Sequence, residues 1–400
     1  MQILIVSQYF WPENFKINDI ALALNERGHE VSVLTGKPNY PTGKFNKGYS
    51  FFNKNIEYWN GIKIYRSPLI PRGKGKGIQL FINYISFAFF SSIKVYFLKG
   101  KFDRIFVFEP SPVTVGLPGI VAKYKFRAPM FFWVQDLWPE SISAAGGVKN
   151  KVVLSIIDYL TRFIYNNSTK LLVQSKAFIP YIIKQKIDGE KIEYYPNSTE
   201  SYYQQHKLDE TLYNSLPKGI KLIFAGNIGD AQSFDTLLNA ALLLKNDSIE
   251  VHWLILGDGR MKTYVEKKIV ELGLSNYFHL LGSYPSSEMP NYFSCADALL
   301  VSLKNDPIFS LTIPSKIQSY MACGKPIIAS LNGEGARIIM EANAGFATKS
   351  EDSIALKDSI KKFLSLSLNE KSELGKNARK YFEEEFEREK LINKLESILS

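Results

Sequence analysis

The sequence is poor in the residues that build covalent staples and metal cages. Its 400 residues include two cysteines, Cys295 and Cys323, and four histidines, His29, His206, His252 and His279. None of these stand at ligand-like spacings, which argues against a disulfide framework or a structural zinc site and fits a reducing cytosol. No Asp-x-Asp pair occurs anywhere, so a divalent cation held by such a pair has no basis in the sequence. No Gly-x-Gly-x-x-Gly follows the first apolar run, which weighs against a dinucleotide dehydrogenase. The opening residues MQILIVSQYFWPEN lead straight into a strand and then into acidic and turn residues, without a charged n-region or a cleavage site. No signal peptide is expected.

What the chain does have is apolar length and lopsided charge. With 46% hydrophobic residues, 400 positions exceed one comfortable core, and two domains are the default. The formal charge is +10. Residues 1 to 200 hold 26 Lys and Arg against 14 Asp and Glu, a net of +12, which leaves 23 against 25, or −2, for residues 201 to 400. A negative partner surface is therefore expected to meet the first half. Nucleic acid is a poor candidate, because the cations are mostly lysines scattered through α/β patterns rather than arginines interleaved with aromatics on one element.

Patterning sets the architecture. QILIVS is a continuous apolar run typical of a strand buried on both faces, INDIALALNERG spaces its apolar residues helically up to Gly28, and VSVLT is strand again. GIKIYRSP, FDRIFVFEP, APMFFWVQD and TKLLVQS continue the alternation, which predicts a parallel sheet with crossover helices. Near KIEYYPNSTES the pattern restarts with IKLIFAGNIGDAQ, VHWLILGDGR, YFHLLGSY, ADALLVSL and KPIIAS. Two doubly wound, Rossmann-like α/β domains joined near Pro196 follow, with ligands expected in the cleft that collects their strand ends.

Three loops after strands in the second half could hold phosphate: AGNIGDAQ (225–232), GDGR (257–260) and FSLTIPSK (309–316). The helix opening on Pro314-Ser315-Lys316 places its only full cation in the first turn, against the dipole; an anion lying between would account for that, and a solvent-facing lysine is the alternative. Gly226 and Gly229 could likewise serve a tight turn alone. In the first half, Asn14, Lys16, Asn18 and Asp19 follow the first strand, with Asn18 and Asp19 also candidate helix caps. Asp136 ends the strand FFWVQD beside Trp138 and Glu140, a set that could bind a sugar hydroxyl and stack its apolar face, or could be a helix cap with a core tryptophan. His29 follows a helix-ending glycine and reads as structural.

The stretches SQYFWPENFKINDIALALNERGHEVSVLTGKPNYPTGK, WVQDLWPESI, FAGNIGDAQ, LILGDGR, IPSKIQSYMACGKPIIAS and NGEGARII together resemble the retaining GT-B glycosyltransferases of family four. Within that family they are similar to bacterial polysaccharide (O-antigen and capsule) enzymes that transfer N-acetyl-L-fucosamine or related acetamido-deoxysugars. The resemblance implies an acceptor domain over residues 1–198, a nucleotide-sugar domain over 199–375, and a helical segment 376–400 crossing back to the first domain. It implies a UDP-sugar donor, no metal and no other cofactor, and same-face attack in which the leaving phosphate takes the acceptor proton. The catalytic set it implies is Lys316, Asp136 and Asn18, with Asp136 as general base were the reaction inverting. Gly226, Asn227, Gly229, Gln232, Arg260, Ser283, Tyr284, Pro314, Ser315, Ser319 and Glu334 are the donor-side candidates, and Asn14, Lys16, Asp19, Tyr40, Trp138 and Glu140 join Asp136 on the acceptor side.

The chain departs from the family where two glutamates usually touch donor sugar and ribose, since Leu311 and Ser319 stand there, and where an Arg and a Lys usually meet the diphosphate, since Asn227 and Gln232 stand there. Lys316 is the replacement cation and Glu334 the candidate for ribose. A two-domain UDP-sugar epimerase shares the architecture and is the competing activity.

The apolar stretch from Ile78 to Leu98 has the length of a membrane span, yet Asn83, Ser86, Ser91, Ser92 and Lys94 interrupt it. A crossover helix is expected, either plain core or with aromatic and basic residues turned to an anionic bilayer. With an undecaprenyl-diphosphate-linked saccharide as acceptor, the second form implies a cytoplasmic protein peripheral on the inner membrane.

Overall fold

The computed structural model describes residues 1–75, 77–144 and 150–400. The chain divides into two compact units, Met1–Tyr195 with Ile392–Ser400, and Pro196–Leu391. The divide thus falls at Tyr195/Pro196 rather than after residue 198. Of the expected crossing segment 376–400, only Ile392–Ser400 groups with the first unit. Residues 376–391 stay with the second, because the helix Leu368–Glu385 buries Ala378, Tyr381 and Phe382 in that unit's core.

In the first unit β1 (Gln2–Ser7), β2 (Glu30–Gly36), β3 (Ile56–Trp59), β4 (Ile62–Ser67), β5 (Arg104–Glu109), β6 (Met130–Val134), β7 (Lys170–Val173) and β8 (Ile192–Tyr194) form one sheet. Its order is β3-β4-β2-β1-β5-β6-β7-β8. All pairings are parallel except β3 with β4, a hairpin turning at Asn60 and Gly61, which both have positive φ. The central strands are apolar without alternation because helices cover both faces; Ile3, Leu4, Ile5 and Val6 of β1 have no exposed surface. The order reverses between β1 and β5, the switch point at which such sheets open a crevice.

The helix Lys16–Glu26 packs Ile17, Ile20, Ala21 and Leu24 inward and stops as Gly28 takes φ +85°. Neither Asn18 nor Asp19 caps it. Phe15 is the N-cap, its ring stacked on Tyr9 at 4.9 Å, and the Asn18 amide N–H already donates to the Phe15 carbonyl at 2.9 Å. His29 is structural, its Nε2 lying 2.8 Å from Glu396 Oε1 on the helix Arg388–Leu399. Arg27 bonds the same carboxylate, and the Arg104 guanidinium holds the Leu399 carbonyl.

The second unit's sheet contains β9 (Lys221–Ala225), β10 (His252–Leu256), β11 (Phe278–Gly282), β12 (Ala298–Ser302), β13 (Ile327–Ser330) and β14 (Gly345–Thr348). All are parallel, in the order β11-β10-β9-β12-β13-β14. Two apolar layers sandwich it, one around Phe293, Tyr320 and Ile317, the other around Phe224, Trp253 and Leu237. The order reverses between β9 and β12, and the loops leaving β9, β10 and β11 gather beside the helix Ser315–Ala322 that follows β12.

Candidate active site

Those loops hold one another in place through backbone. The Gly226 N–H donates to the Leu256 carbonyl at 2.8 Å, the Ile228 N–H to the Asp258 carbonyl at 2.8 Å, and the Gly257 N–H to the Gly282 carbonyl at 2.7 Å. Such close approach demands glycine. A Cβ on Gly257 would lie 1.9 Å from the Gly226 carbonyl oxygen, and one on Gly229 would lie 2.5 Å from the Asn227 amide. Gly229 therefore serves the turn that aims Asn227.

The loops enclose a cavity of about 450 Å³ within the second unit. Gly226 and Asn227 line one side, Ser283 and Tyr284 another, and Ser315, Lys316 and Ser319 of the short helix a third. A second recess of about 230 Å³ shares Ser315 and Lys316 with it and adds Gln232 and Pro314. Nine of the candidates thus converge on one place.

Lys316 sits at the junction. Its ammonium donates to Gln232 Oε1 at 2.7 Å and lies 4.6 Å above the Phe224 ring. It has no carboxylate partner among the described residues, and burial lowers its pKa to about 8. The surrounding helix end adds to this: Pro314 is the N-cap, no side chain caps the first turn, and no acidic residue occupies it. A cation short of counter-charge at a helix start with no side-chain cap suits an anion.

Sequence reasoning missed the aromatic wall. Tyr203, Phe293 and Tyr320 line the cavity, with Phe293 stacked on Tyr203 at 6.3 Å and edge-on to Tyr320 at 5.1 Å. The Tyr320 hydroxyl accepts from the Ala225 N–H at 3.0 Å, fixing the end of β9. Arg260 and Glu334 line neither recess. Arg260 is exposed, and the Glu334 carboxylate is held by Arg337 at 2.8 and 2.9 Å.

At the strand ends of the first unit a separate polar cluster forms. Buried Glu13 accepts from the Asn39 and Tyr40 N–H groups, both at 2.7 Å, pinning the loop that carries Tyr40, and the Arg72 guanidinium lies over the Tyr40 ring at 4.9 Å. Asn18 Nδ2 donates to the Glu13 carbonyl at 2.7 Å while its Oδ1 is buried with no partner among the described residues. Asn14 and Asp19 are exposed and Lys16 half-buried.

Across the cluster, Glu109 at the end of β5 is fully buried, and its Oε2 accepts long bonds of 3.4 Å from the Gln135 and Asp136 N–H groups. Burial lifts the Asp136 pKa to about 6, and burial together with the Asp136 charge holds Glu109 well above the carboxylate range. Burial also raises Glu140, whose Oε2 has no partner among the described residues. Trp138 is only 6% exposed and meets Tyr84 edge-on at 6.4 Å, so its ring is a packing element with no open face for a sugar. Glu13, Tyr84 and Glu109 were not anticipated, although Glu109 closes an apolar strand just as Asp136 does.

Comparison with known proteins agrees with this anatomy. Residues 16–198 match the family described as glycosyl transferase 4-like domain, and residues 213–381 match the glycosyl transferases group 1. A Pseudomonas aeruginosa protein named as glycosyltransferase WbjE is 28% identical over 252 residues, which cover 60% of this chain and 61% of that protein's length. An Escherichia coli K12 protein named for colanic acid biosynthesis, WcaI, is 26% identical over 339 residues, 81% of this chain and 82% of the relative. Among solved structures, HepE from Anabaena, crystallised with UDP, superimposes with a TM-score of 0.72 at 15% identity over 100% of this chain and 99% of that one. Sucrose-phosphate synthase from Thermosynechococcus elongatus gives 0.75 at 17%, over 100% and 98%. Each of the two units thus matches a glycosyl transferase family, and the chain is built on the GT-B fold.

Proposed function

We propose that the protein transfers an acetamido-deoxyhexose such as N-acetyl-L-fucosamine from its UDP-sugar to a lipid-diphosphate-linked saccharide, with retention of configuration and without a metal ion. The observation that carries this reading is Lys316, a half-buried ammonium at the mouth of a helix, short of counter-charge and shared by two recesses. It can meet the charge that grows on a departing diphosphate, while the unfilled N–H groups of the Ser315–Ala322 helix add to it without reorganisation. Tyr284 and Ser283 stand at the base side, and Gln232 keeps the ammonium aimed when no anion is bound.

The first unit takes the acceptor in this reading. Asp136 and the Glu13-anchored Tyr40 loop supply carboxylate and hydroxyl groups at the strand ends, where a sugar hydroxyl can be oriented. The relative named for colanic acid biosynthesis supports a place in surface polysaccharide assembly. The net +12 of residues 1 to 200 supports a lipid-linked acceptor at the cytoplasmic face of the inner membrane, with undecaprenyl diphosphate as the carrier.

The test is a thermal shift with UDP, GDP, dTDP, CDP and ADP, in EDTA, on wild type and Lys316→Ala. Stabilisation by UDP alone that persists in EDTA and weakens in the variant is the expected result. Stabilisation by another diphosphate would replace the donor class, and no stabilisation by any would remove the reading.

A further inference from the structure

The helix Gly77–Phe97 is built inside out. The face it turns to the protein carries Asn83, Ser86 and Ser91 along with Phe87, Ala88 and Val95. The face it turns to solvent carries Ile78 (74% exposed), Phe81 (59%), Phe89 (58%), Tyr96 (68%) and Phe97 (72%). The polar residues cannot trade places with these, because Asn83 accepts from Gln8 Nε2 at 2.7 Å and donates to the Ile70 carbonyl at 2.6 Å. A soluble surface helix has the opposite polarity.

A second helix, Lys151–Asn167, repeats the feature. Val152, Ile156, Tyr159 and Phe163 recur at helical spacing along one stripe, all of them exposed, while Thr161, Ile164 and Tyr165 are buried. The helix Gly116–Phe126 packs against both and ties their C-terminal ends. Lys123 donates to the Asn167 carbonyl at 2.6 Å, and Lys125 to the Val95 and Tyr96 carbonyls at 2.8 and 2.5 Å. The C-terminal ends of the two helices that carry the stripes are thus tied to one and the same helix end.

Charge says what covers them. Between Glu57 and Asp103 the sequence has eight lysines and arginines and no carboxylate, with Arg72 and Lys74 just before the first helix and Lys99 and Lys101 just after it. On the second helix the one carboxylate, Asp158, is neutralised by Arg162 at 2.9 Å. An apolar stripe bracketed by unopposed cations fits acyl chains beneath anionic headgroups.

We propose that the outward faces of Gly77–Phe97 and Lys151–Asn167 form a two-helix surface that seats the first unit in the headgroup region of an anionic bilayer without spanning it. The proposal rests on the reading of a lipid-linked acceptor and deepens it. The first helix also carries Tyr84, which packs on Trp138 at the strand-end cluster, so one element faces both lipid and the acceptor candidates.

The test is vesicle flotation of the full chain, with phosphatidylcholine alone and with phosphatidylglycerol added, at low and high salt. Wild type is expected to float with the anionic vesicles and to weaken in salt. Ile78→Ser with Phe81→Ser, and separately Ile156→Ser with Tyr159→Ser, are each expected to weaken flotation at least roughly tenfold. Melting temperature and the UDP shift, measured without vesicles, check that each variant is folded and read the donor site independently. Failure of wild type to float, or flotation unaffected by either pair of substitutions, overturns the surface while leaving the transferase reading intact. Light scattering that shows a dimer dispersed by the same substitutions would assign these faces to a second copy of the chain instead, and overturn it too.

Discussion

Gly226 and Lys316 occupy what is nearly one volume: a Cβ on Gly226 would lie 2.6 Å from Lys316 Cε and 2.9 Å from Nζ, and the glycine holds φ +140°. The bare α-carbon is what lets the lysine lie along the loop and over Phe224. Gly226→Ala should therefore displace the ammonium as well as strain the backbone. We expect a lowered Tm and a UDP affinity reduced at least roughly tenfold, on the scale of a lost charge-assisted bond. Calorimetry with UDP on Gly226→Ala, Lys316→Ala and the double variant checks this; additive losses would show that the two residues act separately.

Removing the Lys316 charge should separate stability from activity. Lys316→Met keeps the stem and deletes an ammonium whose burial disfavours its charged form. The melting temperature without nucleotide is expected to hold or rise, while kcat/KM falls by at least about 2 kcal/mol of transition-state stabilisation. A variant with full turnover would return Lys316 to a packing role.

On the proposed reading the same group sets a pH limit on donor binding. In the free protein burial holds Lys316 down to about 8, so below that value the ammonium is charged and UDP meets it in full. As pH rises through 8 the free protein loses the proton that the bound state retains, and the UDP Kd should climb by up to roughly tenfold per unit. Titrations across this range in buffers of different ionisation enthalpy should show proton uptake on binding. The Lys316→Met variant should show a flat profile.

Asp136 predicts the acid side. Its carboxyl is raised to about 6, so it gains its proton as pH falls through that value and, in the proposed role, stops accepting from an acceptor hydroxyl. Transfer should decline below pH 6, and Asp136→Asn should lower the plateau at least roughly tenfold and abolish that limb. Because the folded state holds this carboxyl above its unfolded value, the native carboxylate costs stability above pH 6, and the variant should melt no lower at pH 7.

How far the sequence reveals this molecule depends on the distance over which each signal acts. Unbroken apolar strands such as Ile3–Val6 and Met130–Val134 announce a sheet covered on both faces, and the charge of Lys316 against its helix dipole singles out a residue that lines both recesses. The strand β3 that enters the Asn60-Gly61 hairpin and β14 are each only four residues long, too short for periodicity to register. The wall of Tyr203, Phe293 and Tyr320 comes from three distant segments, and nothing local distinguishes those rings from core. The cap expected at Asn18 or Asp19 failed because ring packing on Phe15, rather than a side-chain hydrogen bond, sets where that helix begins.

The path of the chain has a consequence for its manufacture. It leaves the first unit after Tyr195 and returns only at Ile392, bringing Glu396 to Arg27 and His29 and the Leu399 carbonyl to Arg104. On the ribosome the second unit can close as soon as it emerges, whereas the first, although begun earlier, must wait with those partners unmet until the last turns of helix arrive. The domain that starts first is finished last, so a ribosome stalled before residue 392 would release a complete second unit joined to a first one that still lacks its final helix.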